Sequence, residues 1–435
     1  MNNFFKLQER GTTVGKEIVA GLTTFLAMSY ILAVNPGMLS QCGNGMTFGV
    51  VFTGTAIASA IATLVMAFTA NLPVALAPGM GLNAFFTYTV VMGMGCSWQT
   101  ALTAVLLEGI LFIVLSLVGV REAIINSIPA NLKKAVAVGI GLFITLIGLS
   151  DGGVVSGETG TIIGFVDFSN KTALVAIIGL IITVALYVLK VPGAILIGIV
   201  ATTIVGIPFG VTKLTASGWK PFSLPEAPLF CKFDFSNIFT LKFFTIFFTF
   251  LFVDMFDTVG TLMGVATQAN LTDKDGNIPH VKQALLSDAI GTVAGACLGT
   301  STVTSYVESS SGVAAGGRTG LSSVVTGIMF LLALFLSPLF ALVPSAATAP
   351  ALIFVGFLMM KAVTDIDFKD ATEGIPAFIT IMVMPFSYSI ANGISWGIIS
   401  YVLCKICGKK IKDIPVVTWI LAVVFIFKIV LDAVM

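Results

Sequence analysis

GTSTVTSYVESSSGVAAGG, residues 299–317, breaks a series of apolar runs with glycine, serine and threonine, and APGMGLNAFF, residues 77–86, does the same at the corresponding place in the first half of the chain. A continuous helix satisfies its own backbone in lipid, so a stretch of this composition at membrane depth must be buried in protein or line a wet cavity. Short broken segments paired across two halves are the sequence mark of a carrier's binding site.

The surrounding composition agrees. Of 435 residues, 57% are hydrophobic and 10% charged, and mean hydropathy is +1.05, which excludes a water-soluble globular protein. Lysine and arginine fall in short clusters between apolar runs, so the net charge of +1 forms no basic face for nucleic acid. The six cysteines, at positions 42, 96, 231, 297, 404 and 407, lie mostly within apolar runs and read as small buried side chains, not a disulfide framework. Cys404 and Cys407 form a C-x-x-C, but with His280 as the one histidine they make no metal centre, and no cofactor is expected. The first run, from Ile18, is too long for a signal peptide and no small-residue cleavage site follows it, so it reads as the first span.

With about 20 residues per span as the ruler, apolar runs lie near 17–35, 48–70, 77–93, 98–119, 133–149, 171–189 and 191–210. A polar connection, 211–242, follows, and then runs near 243–266, 283–299, 301–317, 320–344, 347–361, 374–390 and 392–407. The turn Ile128-Pro129-Ala130-Asn131 before the fifth run is matched by Val343-Pro344-Ser345-Ala346 before the twelfth. Seven is odd, so the second set (243–414) enters from the opposite side to the first (1–210), and the repeat is inverted. Three basic clusters then share one side, cytoplasmic by the positive-inside rule: Lys6, Arg10 and Lys16; Arg121, Lys133 and Lys134; Lys405, Lys409, Lys410 and Lys412. The lysines of 213–242 go against this trend, partly offset by nearby acids. Residues 415–435 are long enough to span, while Lys428 and Asp432, four apart, also suit a helix lying at the interface.

Charged residues inside spans are functional hypotheses by default. Segment eight reads LFVDMFDTVGTLMG, with Asp254 and Asp257 three apart on one helical face, and either could hold and release a proton. Glu308 stands before Ser309, Ser310, Ser311 and Gly312, a sequence able to start a short half-helix whose free N–H groups face a cavity. Asn83 could serve a ligand or satisfy frayed backbone. Phe85, Phe86 and Tyr306 could stack on a flat ring or belong to the core. Glu108, in LLEGILF, reads as a structural group without an identifiable partner, and Arg318 as a membrane-surface residue. The glycines of 93–95 and 139–141 lack phosphate-loop spacing and read as helix-packing positions. No Ser-His-Asp set exists around His280, and nothing marks an enzyme.

Two carboxylates, an amide and aromatic faces, without a ring of basic residues, favour a neutral or cationic ligand bearing N–H donors. A purine fits, although these groups alone do not choose it over other small polar solutes.

Beyond this reading, GLTTFLAMSYILAVNP (21–36), APGMGLNAFF (77–86), DMFDTVGTL (254–262) and GTSTVTSYVESSSGVAAGGRTGL (299–321) closely resemble the AzgA-like branch of the nucleobase–cation symporter-2 family, over nearly the whole chain. The resemblance implies an all-α membrane fold of fourteen spans in two inverted seven-segment repeats, with a short strand and a half-helix in segments three and ten. It also implies a core of segments 1–4 and 8–11 (17–119 and 243–344) and a gate of segments 5–7 and 12–14 (133–210 and 347–407). By matching around Gly260, it implies Asp257 as the segment-eight acid at the nucleobase, Asp254 second, with Glu308 and Asn83. Phe85, Tyr306 and Ser309 join them as candidate binding residues, and Asp257 and Asp254 as candidates for proton coupling. In related uracil and xanthine branches a Glu stands where Asp257 does, and a His can occur nearby; this chain has none there. The expected function is proton-coupled uptake of guanine and hypoxanthine, or of adenine, across the cytoplasmic membrane with the N-terminus cytoplasmic. The alternative is a carrier of the same architecture for uracil, xanthine or an anion. Na⁺ is a less favoured coupling ion, and the choice between monomer and homodimer is open.

Overall fold

The computed structural model describes residues 2–434 apart from 119–128, 158–162, 168, 192, 214–219, 270 and 272–277. Arg121 and Ile128 lie outside the described residues. Among those described, the first seven membrane segments are Val14–Met28 with Ile31–Leu39 (span 1), Phe48–Thr69 (span 2), strand β1 Leu76–Pro78 with Met80–Gly93 (span 3), Trp98–Val118 (span 4), Ala130–Asp151 (span 5), Lys171–Val188 (span 6) and Ala194–Gly206 (span 7). Two short strands, β2 Val155–Ser156 and β3 Gly164–Phe165, pair antiparallel between spans 5 and 6. The second seven are Leu241–Gln268 (span 8), Val281–Leu298 (span 9), strand β4 Val303–Ser305 with Ser309–Ala314 (span 10), Gly320–Phe340 (span 11), Ser345–Met360 (span 12), Ala371–Phe386 (span 13) and Ile390–Cys407 (span 14).

Local chemistry explains where these elements begin. Thr13, Thr47, Asn170, Thr319, Asp370 and Ser389 stand at helix N-caps and accept a backbone N–H with their side chains. Spans 5 and 12 start instead at Pro129 and Pro344, as the matched turns foretold. These two spans pack on each other through small residues: a Cβ added at Gly148 would stand 2.9 Å from the Ala349 carbonyl, and one at Gly141 would stand 2.8 Å from that of Gly356.

Packing divides the helices. Span 2 packs on spans 9 and 11, span 4 on spans 8 and 9, and span 11 on span 1. Separately, span 5 packs on spans 12 and 13, span 6 on spans 7 and 12, and span 13 on span 14. The two groups meet where the half-helix of span 3 touches span 5, span 8 reaches spans 5 and 14, and span 1 reaches spans 7 and 12.

One end of the bundle carries the basic residues. There Arg10 donates to the Asn71 and Arg318 carbonyls, Lys134 donates to the Asp365 carbonyl, Lys405 pairs with Glu373 at 2.7 Å and Lys410 with Asp370 at 2.6 Å. The Lys410 hydrogen bond, with help from Thr372, holds the half-exposed Asp370 carboxyl well below the usual carboxylate range. At the opposite end lie Lys242, donating to the Met94 carbonyl, and the connection after span 7.

Three features go beyond the sequence reading. Span 1 is broken at Ser29–Tyr30, and span 3 continues past its half-helix as π-helix over Phe85–Gly93. Val416–Val434 forms a helix on span 14, with Phe425 edge-on to Phe248 of span 8. Its far face shows Val416, Ile420, Val423 and Phe427.

Candidate functional site

The two broken segments meet. β1 and β4 pair antiparallel in the register Leu76↔Ser305, Ala77↔Thr304, Pro78↔Val303, and the ladder is extended by Gly79 N–H to the Thr302 carbonyl and Tyr306 N–H to the Ala75 carbonyl. Each strand therefore gives the other the backbone partners that lipid cannot. Gly299, at φ +80°, turns the chain from span 9 into β4, a conformation that costs glycine little.

Several expected site residues hold this crossing together. The Asn83 side chain accepts from the Ser301 hydroxyl and donates to the Pro78 carbonyl at 3.4 Å. The Tyr306 hydroxyl donates to the same carbonyl at 2.5 Å, and Ser309 Oγ accepts from Ala75 N–H at 3.0 Å. Phe85 and Phe86 are fully buried against Phe250 of span 8. Thr302 donates to Glu108 of span 4 at 2.9 Å, the partner that sequence could not name. Arg318 is half-buried, its guanidinium on the Val313 and Gly317 carbonyls and its N–H on Glu17.

Two carboxylates keep partial exposure at the crossing: Glu308, directly before the half-helix Ser309–Ala314, and Asp257 of span 8. They lie within range of each other's charge, and Asp257 also within range of Asp288. Tyr30, wholly buried at the break in span 1, donates its hydroxyl to Glu308 Oε1 at 2.6 Å. Asp254, one turn before Asp257, is fully buried, and the Thr258 hydroxyl lies 3.2 Å from its Oδ1 and 2.7 Å from Asp288 Oδ1 of span 9. A hydroxyl has one proton, so this bridge is fully satisfied when the proton is shared or when one carboxyl carries its own. Among the described residues, the one buried Lys or Arg is Lys405, which is already paired at the basic end.

Sequence reasoning passed over Tyr30 and Asp288. Asp288 carried the usual signal, a charge inside an apolar run (LLSDAIGTVAG). Tyr30 carried none, because its importance comes from a partner 278 residues away.

Strand-paired broken segments between two inverted helix sets define a membrane carrier. The solved transmembrane domain of a cyanobacterium bicarbonate transporter, BicA, has the same fold, with a TM-score of 0.65 at 17% identity over 87% of this chain and 97% of that one. The murine anion transporter Slc26a9 in its inward-facing state gives 0.61 at 12% over 90% of this chain and 68% of that one. The Permease family model Xan_ur_permease matches residues 15–395, and the chain belongs to that family, the nucleobase–cation symporter-2 permeases. It is 46% identical to the guanine/hypoxanthine permease PbuG of Bacillus subtilis over 98% of both chains. It is 42% identical to the adenine permease AdeQ of Escherichia coli, over 99% of this chain and 96% of that one.

Proposed function

We propose that the chain carries purine nucleobases, guanine and hypoxanthine or adenine, across the cytoplasmic membrane together with a proton, with its basic end cytoplasmic. The observation that carries this reading is the pair Glu308 and Asp257, two partly buried acidic residues at the strand crossing within range of each other's charge, with no buried Lys or Arg beside them among the described residues. Two such charges repel, and a proton or a ligand with N–H donors relieves them. A purine presents a ring N–H beside an exocyclic amine or second N–H, which a carboxylate can accept as a pair. Curated relatives that are purine permeases support the same choice.

In this reading Asp257 and Glu308 accept from the base, while Tyr30 aims Glu308. Asn83, Tyr306 and Ser309 keep the crossing rigid, and Phe85 backs it. Asp254 and Asp288, joined through Thr258, keep a proton at the site as the loaded core (spans 1–4 and 8–11) moves past the gate (spans 5–7 and 12–14) in alternating access. An anion carrier of this fold would require positive charge at the crossing, where Glu308 and Asp257 stand instead.

Glu308→Gln should abolish uptake of labelled hypoxanthine while the protein still reaches the membrane at normal level; unimpaired uptake would remove Glu308 from the site. Competition by guanine, adenine, uracil and sulfate, with the proton gradient intact or collapsed, separates the purine reading from its alternatives.

A further inference from the structure

Not all six cysteines behave as small buried side chains. Cys231 is exposed in the connection after span 7, while Cys297 is half-buried in the last turn of span 9. The Cys231 N–H donates to the Cys297 carbonyl at 2.8 Å, and the two thiols are in hydrogen-bonding contact. With that N–H donating at 2.8 Å, standard backbone dimensions hold the two Cα atoms within about 6.7 Å of each other, inside the range a disulfide bridges.

The surroundings hold this approach in place. The connection is seated on the end opposite the basic clusters by Ser223 N–H on the Phe335 carbonyl, the Thr47 hydroxyl on Glu226, the Thr100 hydroxyl on the Asp234 carboxylate, and Asp234 N–H on Thr103 Oγ1. All of these anchors belong to spans 2, 4 and 11 or their ends, so residues 223–234 form a cap on one helix group only.

We propose that Cys231 and Cys297 are a redox-sensitive pair whose disulfide staples this cap to span 9. The oxidant is an external disulfide, of low molecular weight or on a protein. The exposed Cys231 thiolate attacks one of its sulfurs and expels a thiolate. Cys297, as thiolate, then attacks the Cys231 sulfur of the mixed disulfide and expels the second. Two protons leave the protein's thiols and end on the two released thiolates, so the dithiol is oxidised and the external disulfide becomes two thiols. Because the bond does not cross to the other helix group, it holds the cap down without tying the groups together.

The test uses the full chain in membrane vesicles, treated with oxidised glutathione, alkylated with a maleimide and digested without reductant. The expected result is loss of two alkylatable thiols, a linked peptide pair containing Cys231 and Cys297, and recovery of both thiols with dithiothreitol. Cys297→Ser should leave Cys231 as a glutathione adduct and give no linked pair. Oxidation should also slow proteolysis at Lys232 by about tenfold or more, since cleavage follows local opening of the cap, and leave hypoxanthine uptake within about twofold. Two free thiols after treatment, or a persistent glutathione adduct on Cys231 in the unaltered protein, would overturn the proposal.

Discussion

Tyr30 shows what one hydroxyl can do at the residue scale. Wholly buried and 2.6 Å from Glu308, it fixes the direction of the carboxylate of a residue that is itself only partly buried. A hydrogen bond to a charged group contributes about 1.5–3 kcal/mol, so Tyr30→Phe should raise the KM for hypoxanthine by roughly 10- to 100-fold and shift the pH profile of uptake. An unchanged KM and profile would reduce Tyr30 to packing. The carboxylates themselves were legible because lipid makes a charge rare. Tyr30 was not, since a tyrosine in an apolar run is ordinary until the fold brings Glu308 to it. Asn83 gave a different lesson: its residue type marked the crossing, while its hydrogen bonds went to Ser301 and Pro78.

At the scale of elements, the breaks in spans 3 and 10 were written in glycine, proline and serine, and the strand pairing fell on them. The π-helix at Phe85–Gly93 was not legible, because its phenylalanines, threonines and valines read equally well as α-helix. That geometry presents Tyr88 to Asp151 at the end of span 5, at 2.6 Å, with Gln41 donating to the same hydroxyl at 3.1 Å. This contact joins the two helix groups at the end away from the basic clusters. Tyr88→Phe should therefore favour opening at that end, seen as faster labelling of a cysteine placed at the buried Ile147, one turn before Asp151, than in the Tyr88 protein with the same cysteine; equal rates would refute a latch. The half-helix of span 10 depends on Gly312, where an added Cβ would run into Thr24 and the Ala20 carbonyl of span 1. Gly312→Val should displace it at a cost of about 1–3 kcal/mol, read as a lower melting temperature and lost uptake, with Gly312→Ala milder on both.

The whole molecule consists of two packed groups with few places of contact. Spans 1 and 7 offer one such place, where a Cβ built on Gly193 would stand 3.5 Å from Leu26 Cβ, at the edge of the range a disulfide spans, about 3.5–4.5 Å. The double change Leu26→Cys with Gly193→Cys should stop uptake on oxidation and release it on reduction. Full transport by the cross-linked protein would show that the groups do not move against each other. The number and inversion of the spans could be read from hydropathy and matched turns alone. Which helices embrace could not, because lipid-facing and helix-facing residues are equally apolar here.

The strand crossing also sets a schedule for making the protein. Pro78 waits for Tyr306, 228 residues later in the chain, before its carbonyl receives the tyrosine hydroxyl. At synthesis rates of about 5–20 residues per second, the first half stands in the membrane for roughly 10–45 seconds with a strand that has no neighbour. Each half is thus the template that completes the other, and insertion must shelter an open edge until the second copy of the motif leaves the ribosome.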